Sequence, residues 1–171
     1  MGLTPLAGIP MGTRSGDIDP AIIKFLMYKE GASIDEIDTI LNKKSGVFGV
    51  SEVSPDSRDI EAAAAEGNEK AILALDIQNY AIAQHIAKYA VAMQGIDAIV
   101  FTAGIGENEK NTRKAVCDYL AYMGIKIDEE LNKSRGKEVE LSTKDSSIRV
   151  FVIPTNEELV IARDTMELVK K

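Results

Sequence analysis

Apolar residues along this chain recur mostly at three- and four-residue spacing, and only two short stretches break that rhythm into continuous apolar runs. The wider spacing predicts helices and the runs predict strands. Asp19-Pro20 reads as a helix start, with Asp as N-cap and Pro at the first helical position, and Gly31 is placed to stop that helix. Ser33-x-x-Glu36 reads as a capping box opening a second helix to about Lys43. Residues 44–59, with Gly46, Gly49 and Pro55, read as a connection ending in the polar run Ser54-Pro55-Asp56-Ser57-Arg58-Asp59. From about Asn68 to Met93, the positions Ile72, Leu75, Ile82, Ile86 and Tyr89 mark the face of a long core helix ended by Gly95. Ala98-Ile99-Val100-Phe101 and Val150-Phe151-Val152-Ile153 are the two strand-like runs. Between them the pattern predicts a glycine turn at 102–108, a helix from about 108 to 122 stopped by Gly124, and a short strand at 125–127. A short helix or loop at 128–137 and a weakly alternating segment at 138–141 follow, and a helix over 155–169 comes last. Residues 1–16, rich in Gly, Pro, Thr and Ser, read as a loop. The result is a helix-heavy α/β chain whose sheet is thin, so some apolar helix faces lack their usual partner.

Both strands run into the same kind of junction. Phe101 leads into Thr102-Ala103-Gly104-Ile105-Gly106-Glu107-Asn108, and Ile153 leads into Pro154-Thr155-Asn156-Glu157-Glu158, each opening a helix. Glycines let a ligand approach the main chain closely, and free N–H groups at a helix start favour phosphate. The glycine turn lacks the third glycine of the dinucleotide fingerprint and the Gly-Lys-Ser/Thr ending of a P-loop, so a simple tight connection fits it equally well. Two such turns point to one cleft, because ligands of open α/β sheets sit beyond the carboxyl ends of the strands. Thr155-x-x-Glu158 reads as a capping box. Glu157, outside that cap, is a carboxylate that could serve Mg²⁺ beside a phosphate.

Composition narrows the function classes. A formal charge of −7 and a pI near 4.8 argue against a nucleic-acid surface or an anionic membrane, and no basic stripe offsets them. No apolar run is long enough to span a membrane and no signal pattern opens the chain, which makes the cytoplasm the expected location. Cys117 lies in a helical apolar pattern beside Val116 and Leu120 and reads as a buried thiol. His85 has no second histidine to share a metal and reads as structural.

Four segments, taken in order, carry a family resemblance: Met11-Gly12-Thr13-Arg14-Ser15-Gly16-Asp17-Ile18-Asp19-Pro20, Ser54-Pro55-Asp56-Ser57-Arg58-Asp59, Phe101-Thr102-Ala103-Gly104-Ile105-Gly106-Glu107-Asn108 and Pro154-Thr155-Asn156-Glu157-Glu158. Together they resemble the carboxyl-terminal part of the acetate kinase (acetokinase) family, over essentially the whole chain. The resemblance implies part of a ribonuclease H-like, actin-like ATPase domain of the sugar-kinase kind, helix-rich with a truncated sheet. It implies phosphoryl transfer between ATP and a short carboxylate such as acetate, giving acyl phosphate and ADP, with Mg²⁺ as cofactor. It also implies a homodimer formed through this domain. Residues 1–171 would then correspond to the nucleotide-binding domain, without the amino-terminal domain and without that domain's own leading strands, and the isolated chain is expected to be inactive or nearly so.

By the same resemblance Arg14 is the catalytic arginine on the transferring phosphoryl group, a task that suits a planar fork of donors. Asp56, Ser57 and Arg58 match the segment against adenine and ribose. Gly104, Ile105, Gly106, Glu107 and Asn108 match the loop under the nucleotide, and Glu157 matches the Mg²⁺-associated glutamate. Propionate or butyrate kinase shares these motifs and remains an alternative. A nucleotide-binding or dimerisation fragment without catalysis is the non-enzymatic one.

Overall fold

The structure, a computed structural model, describes residues 2–170. The chain forms two compact units, residues 1–94 and 95–171. In the first, the loop of residues 2–20 precedes α1 (Ala21–Lys29), α2 (Ile34–Lys43), α3 (Gly46–Ser51), α4 (Ser57–Ala65) and the long α5 (Glu69–Met93). The start of α1 falls one residue later than expected: Pro20 is the N-cap and Ala21 the first helical residue, while Asp19 Oδ1 accepts the Ala21 N–H from just before the helix. The Ser33–Glu36 capping box at α2 forms in both directions.

Two larger sequence expectations need correction in this unit. Residues 44–59 are not a plain connection, since α3 and the start of α4 lie within them. The buried face of α5 is also not the one marked by large residues. Ile72 and Tyr89 are exposed, while Ala71, Ala74, Gln78, Asn79, Ala83 and Ala90 are buried. The physical reason is close approach: α3 and α4 pack on small side chains, where Val47 and Ile60 meet Ala71 and Ala74.

The second unit holds β1 (Ala98–Phe101), α6 (Ala103–Asn108), α7 (Lys110–Tyr119), β2 (Val139–Glu140), β3 (Arg149–Val152) and α8 (Glu157–Val169), with 3₁₀ turns at Ala121–Met123 and Leu131–Lys133. The sheet order is β1-β3-β2, with β3 parallel to β1 and antiparallel to β2. Alternation sets the faces: Ile99, Phe101, Val150 and Val152 are buried, while Val100 and Arg149 on the other face are exposed. Val116, Cys117 and Leu120 add a buried stripe from α7 and its end. The segment at 125–127 contributes one bridge, Ile127 to Ser142, in place of the expected strand. The expected helix from 108 to 122 starts earlier and is broken: the glycines lie inside α6, and Glu109, at φ −98° and ψ 85°, separates α6 from α7.

Candidate functional site

The predicted residues divide between the two units. In the first, Arg14 sits on a tight turn closed by the Met11 N–H donating to the Arg14 carbonyl at 3.0 Å. Ser45, Val47 and Phe48 donate to the carbonyls of Thr13, Met11 and Gly12, so the amino end of α3 cradles the turn. Gly46 makes that cradle possible. Its φ is +62°, and a Cβ there would stand 2.1 Å from the Met11 carbonyl oxygen and 2.7 Å from that of Arg14. A Cβ on Gly12 would meet the Pro55 carbonyl oxygen at 2.9 Å, which sets the Arg14 turn directly against the segment entering α4. Arg14 is half-buried, and the one described contact of its guanidinium is Nη1 donating to Met11 Sδ at 3.7 Å. Among the described residues it has no carboxylate partner.

Asp56 is the N-cap of α4. Its carboxylate accepts the Arg58 backbone N–H at 2.9 Å and the Arg58 Nε at 3.0 Å. The Arg58 side chain, bonded first and most strongly, and its backbone N–H hold the Asp56 carboxyl at about 2, below the ordinary 3.8. The Arg58 side chain is nevertheless 81% exposed while Asp56 holds its Nε and Nη2 edge. Ser57 opens α4 beside them and is half-buried.

In the second unit, Phe101 is paired in register with Val152, so β1 and β3 end side by side and feed α6 and α8 from one edge of the sheet. The two junctions read from sequence therefore come together. Thr102 is extended, and Ala103 turns the chain into α6 at φ +57°, an unusual value for a residue with a Cβ. Gly104 has open space where a Cβ would project, whereas a Cβ on Gly106 would lie 3.1 Å from the Phe101 carbonyl carbon. The first glycine bares the surface, and the second lets α6 pack on the strand end. Ile105 is exposed. Asn108 Nδ2 donates to the Gly104 carbonyl at 2.8 Å, which leaves its Oδ1 as an acceptor.

The expected Thr155–Glu158 capping box does not form. Asn156 is the N-cap of α8, its Oδ1 accepting the Leu159 N–H at 3.0 Å. Thr155 is drawn elsewhere: its N–H and hydroxyl both donate to Glu107 Oε1, at 2.8 and 3.1 Å. The Thr155 N–H, with lesser help from the Thr155 hydroxyl and the nearby Ala103 N–H, holds the Glu107 carboxyl below its usual value, while burial opposes it. Glu157 occupies the first position of α8 and is exposed.

Sequence reasoning missed Arg113. It is fully buried, and its guanidinium donates to Asn132 Oδ1 and to the carbonyls of Gly106, Glu107, Asn132 and Ser134. Gly106 and Glu107 lie in the last turn of α6, so a buried cation caps the negative end of the helix carrying the glycines. The signal was present in the spacing, since 113 falls three and four residues before the apolar positions 116 and 117.

Cys117 is buried as expected, and desolvation pushes its thiol up to about 12. His85 Nδ1 donates to the Ala81 carbonyl at 2.9 Å, a structural contact within α5. Among the described residues no three His, Cys, Asp or Glu side chains converge on a common point. One carboxylate such as Glu157 fits Mg²⁺ held chiefly by phosphate and water, and does not fit an all-protein cage. No described helix is long and apolar enough to cross a membrane.

The acetokinase family matches residues 1–163. The acetate kinase of Halothermothrix orenii is 57% identical over 170 residues, which is 99% of this chain and 43% of that protein. The crystal structure of Porphyromonas gingivalis acetate kinase superposes with a TM-score of 0.92 at 48% identity, covering 99% of this chain and 43% of that one. A propionate kinase from Francisella tularensis gives a TM-score of 0.88 at 43% identity, covering 95% and 41%. The chain thus spans about 43% of the length of the curated relatives it matches. These acetate kinase structures have the actin-like ATPase fold, and the helix-rich α/β architecture with its three-stranded sheet agrees with a part of it. In sequence and in structure alike, this chain belongs to the acetokinase family.

Proposed function

We propose that this chain is the nucleotide-binding and part-catalytic portion of a kinase that transfers a phosphoryl group between ATP and acetate. The observation that carries the reading is the side-by-side ending of β1 and β3, which brings the bare Gly104 backbone and the segment bearing Glu157 to one sheet edge in a member of the acetokinase family. Gly104, Ile105 and Gly106 offer main-chain contact to the nucleotide, and Asn108 Oδ1 accepts from a ribose hydroxyl. Asp56 and Arg58 take the base and sugar, the exposed Arg58 side chain lying against adenine. Ser57 lines the same segment. Arg14, a half-buried cation with no described carboxylate partner, binds the transferring phosphoryl oxygens. Glu157 would hold Mg²⁺, which when bound neutralises phosphate charge during transfer. The other assignments of this reading are a cytoplasmic location, a homodimer, and no nucleic-acid or membrane partner.

The similarity to a propionate kinase favours one second reading, in which the acceptor is a longer carboxylate. The test is Mg²⁺-ATP-dependent acyl phosphate formation with acetate, propionate and butyrate, by this chain alone and mixed with a separately made amino-terminal portion of an acetokinase. Activity only in the mixture, lost by at least a hundredfold in Arg14→Ala, is the expected result, since removing one donor to developing charge costs about that much. Full turnover by that variant would refute the role of Arg14, and the substrate profile decides acyl length.

A further inference from the structure

We propose that Glu107 is a positioning residue: its carboxylate latches the last turn of α6 to the segment entering α8 and so fixes where the Glu157 carboxylate stands, without that carboxylate touching nucleotide or metal. The inference rests on the reading that these two junctions face a nucleotide and its cation.

Two donors of one residue converge on this side chain. The Thr155 N–H and hydroxyl reach Oε1 at 2.8 and 3.1 Å. Thr155 lies 48 residues away in sequence and only two before Glu157. The last main-chain bond of β3 to β1, Ile153 N–H to the Phe101 carbonyl at 3.0 Å, comes two residues earlier. Beyond it α8 has no buried residue of its own, so packing does little to orient its first turn. The direction of the chain into α8 is therefore set largely by Thr155 on Glu107. The other end of the latch is rigid, because α6 is held at its last carbonyls by the buried Arg113. Both bonds fall on Oε1 and come from one residue, so the carboxylate is oriented toward Thr155, a geometry that suits it to hold that residue in place.

The experiment has two arms on the whole chain. Amide hydrogen exchange without ligand tests the latch. Glu107→Ala should speed exchange at Thr155 and the first turn of α8 by about tenfold, as expected for losing bonds to a charged acceptor, and leave α5 unchanged. ADP titration tests the positioning role. In excess Mg²⁺, Glu107→Ala should weaken ADP about tenfold, whereas in EDTA the change should stay within about twofold. Thr155→Val should weaken Mg²⁺-ADP about threefold in the parent and add nothing in the Glu107→Ala background, because the two side chains act as one unit. Glu107→Gln, which keeps a carbonyl acceptor for Thr155, should recover most of the loss.

Loss of ADP affinity equal in Mg²⁺ and EDTA, with Thr155→Val neutral, would make Glu107 a nucleotide ligand and overturn the proposal. Loss confined to Mg²⁺ with Thr155→Val neutral would make it a metal ligand and overturn it as well. Faster exchange with unchanged Mg²⁺-ADP affinity would reduce it to a structural contact. A parent chain that ignores ADP and Mg²⁺ altogether would instead refute the nucleotide reading itself, and the positioning role with it, while the exchange arm still reports on the latch.

Discussion

Arg113 shows how one side chain can set the conformation of a loop it does not belong to. Its guanidinium is sealed from solvent and shared among five acceptors, two of them the last carbonyls of α6. Arg113→Met keeps much of the volume but strands those acceptors, and should destabilise the second unit by about 3 kcal/mol or more. Arg113→Lys keeps the charge without the fork and should fall between. Urea denaturation of the three proteins measures this; equal stabilities would mean the network contributes nothing net. Ala103 gives a smaller effect of opposite sign. Its φ of +57° costs about 1–2 kcal/mol for a residue with a Cβ, and glycine relieves that while adding about 0.5–1 kcal/mol of unfolded-state entropy. Ala103→Gly should therefore stabilise the chain by up to about 1 kcal/mol in the same assay.

At the scale of elements, the pairing at the start of α4 should show its sign in a pH titration. The folded Asp56 carboxyl sits at about 2, below the ordinary 3.8, so its contribution is complete above the ordinary value and is lost as pH falls through about 2. A carboxyl ¹³C titration should find Asp56 near that value in the parent. In Arg58→Ala it should move back toward 3.8 without reaching it, because the residue 58 N–H still caps the carboxylate. An unchanged midpoint in the variant would remove the side-chain pairing as the cause. Elements fixed by local chemistry of this kind were legible in the sequence. The capping box at α2, the two strands, the long α5 and the strand-end placement of residues 104–108 and 154–158 all follow from neighbours close in the chain. What was not legible depends on contacts distant in sequence. The break between α6 and α7 falls at Glu109, itself a good helix former, and follows directly on the point where Arg113 takes the carbonyls of Gly106 and Glu107. Thr155 was read as a cap because its competitor, Glu107, lies 48 residues away. The α5 face was misassigned because alanines, silent in an apolar pattern, are where α3 and α4 approach.

For the molecule as a whole, the thin sheet read from the sequence has a consequence at the surface. Every residue of α8 from Glu157 to Val169 is exposed, including Leu159, Val160, Ile161, Met166, Leu168 and Val169, and α1 exposes Phe25 and Tyr28. Apolar surface in such runs exceeds what scattered exposed residues explain, and in water it favours association. This chain should therefore self-associate at micromolar concentration, seen as a concentration-dependent sedimentation coefficient. Ile161 and Leu168, seven residues apart, share one face of α8. Replacing both with Lys should suppress association while changing stability by less than about 0.5 kcal/mol per site, because both side chains are already in water. The parent charge of −7 makes a sign control necessary, since two lysines lower its magnitude and two glutamates raise it. If the apolar face drives association, both the double-Lys and double-Glu proteins sediment as the smaller species. If only the double-Glu protein does, colloidal repulsion is responsible and the α8 face is not where copies meet.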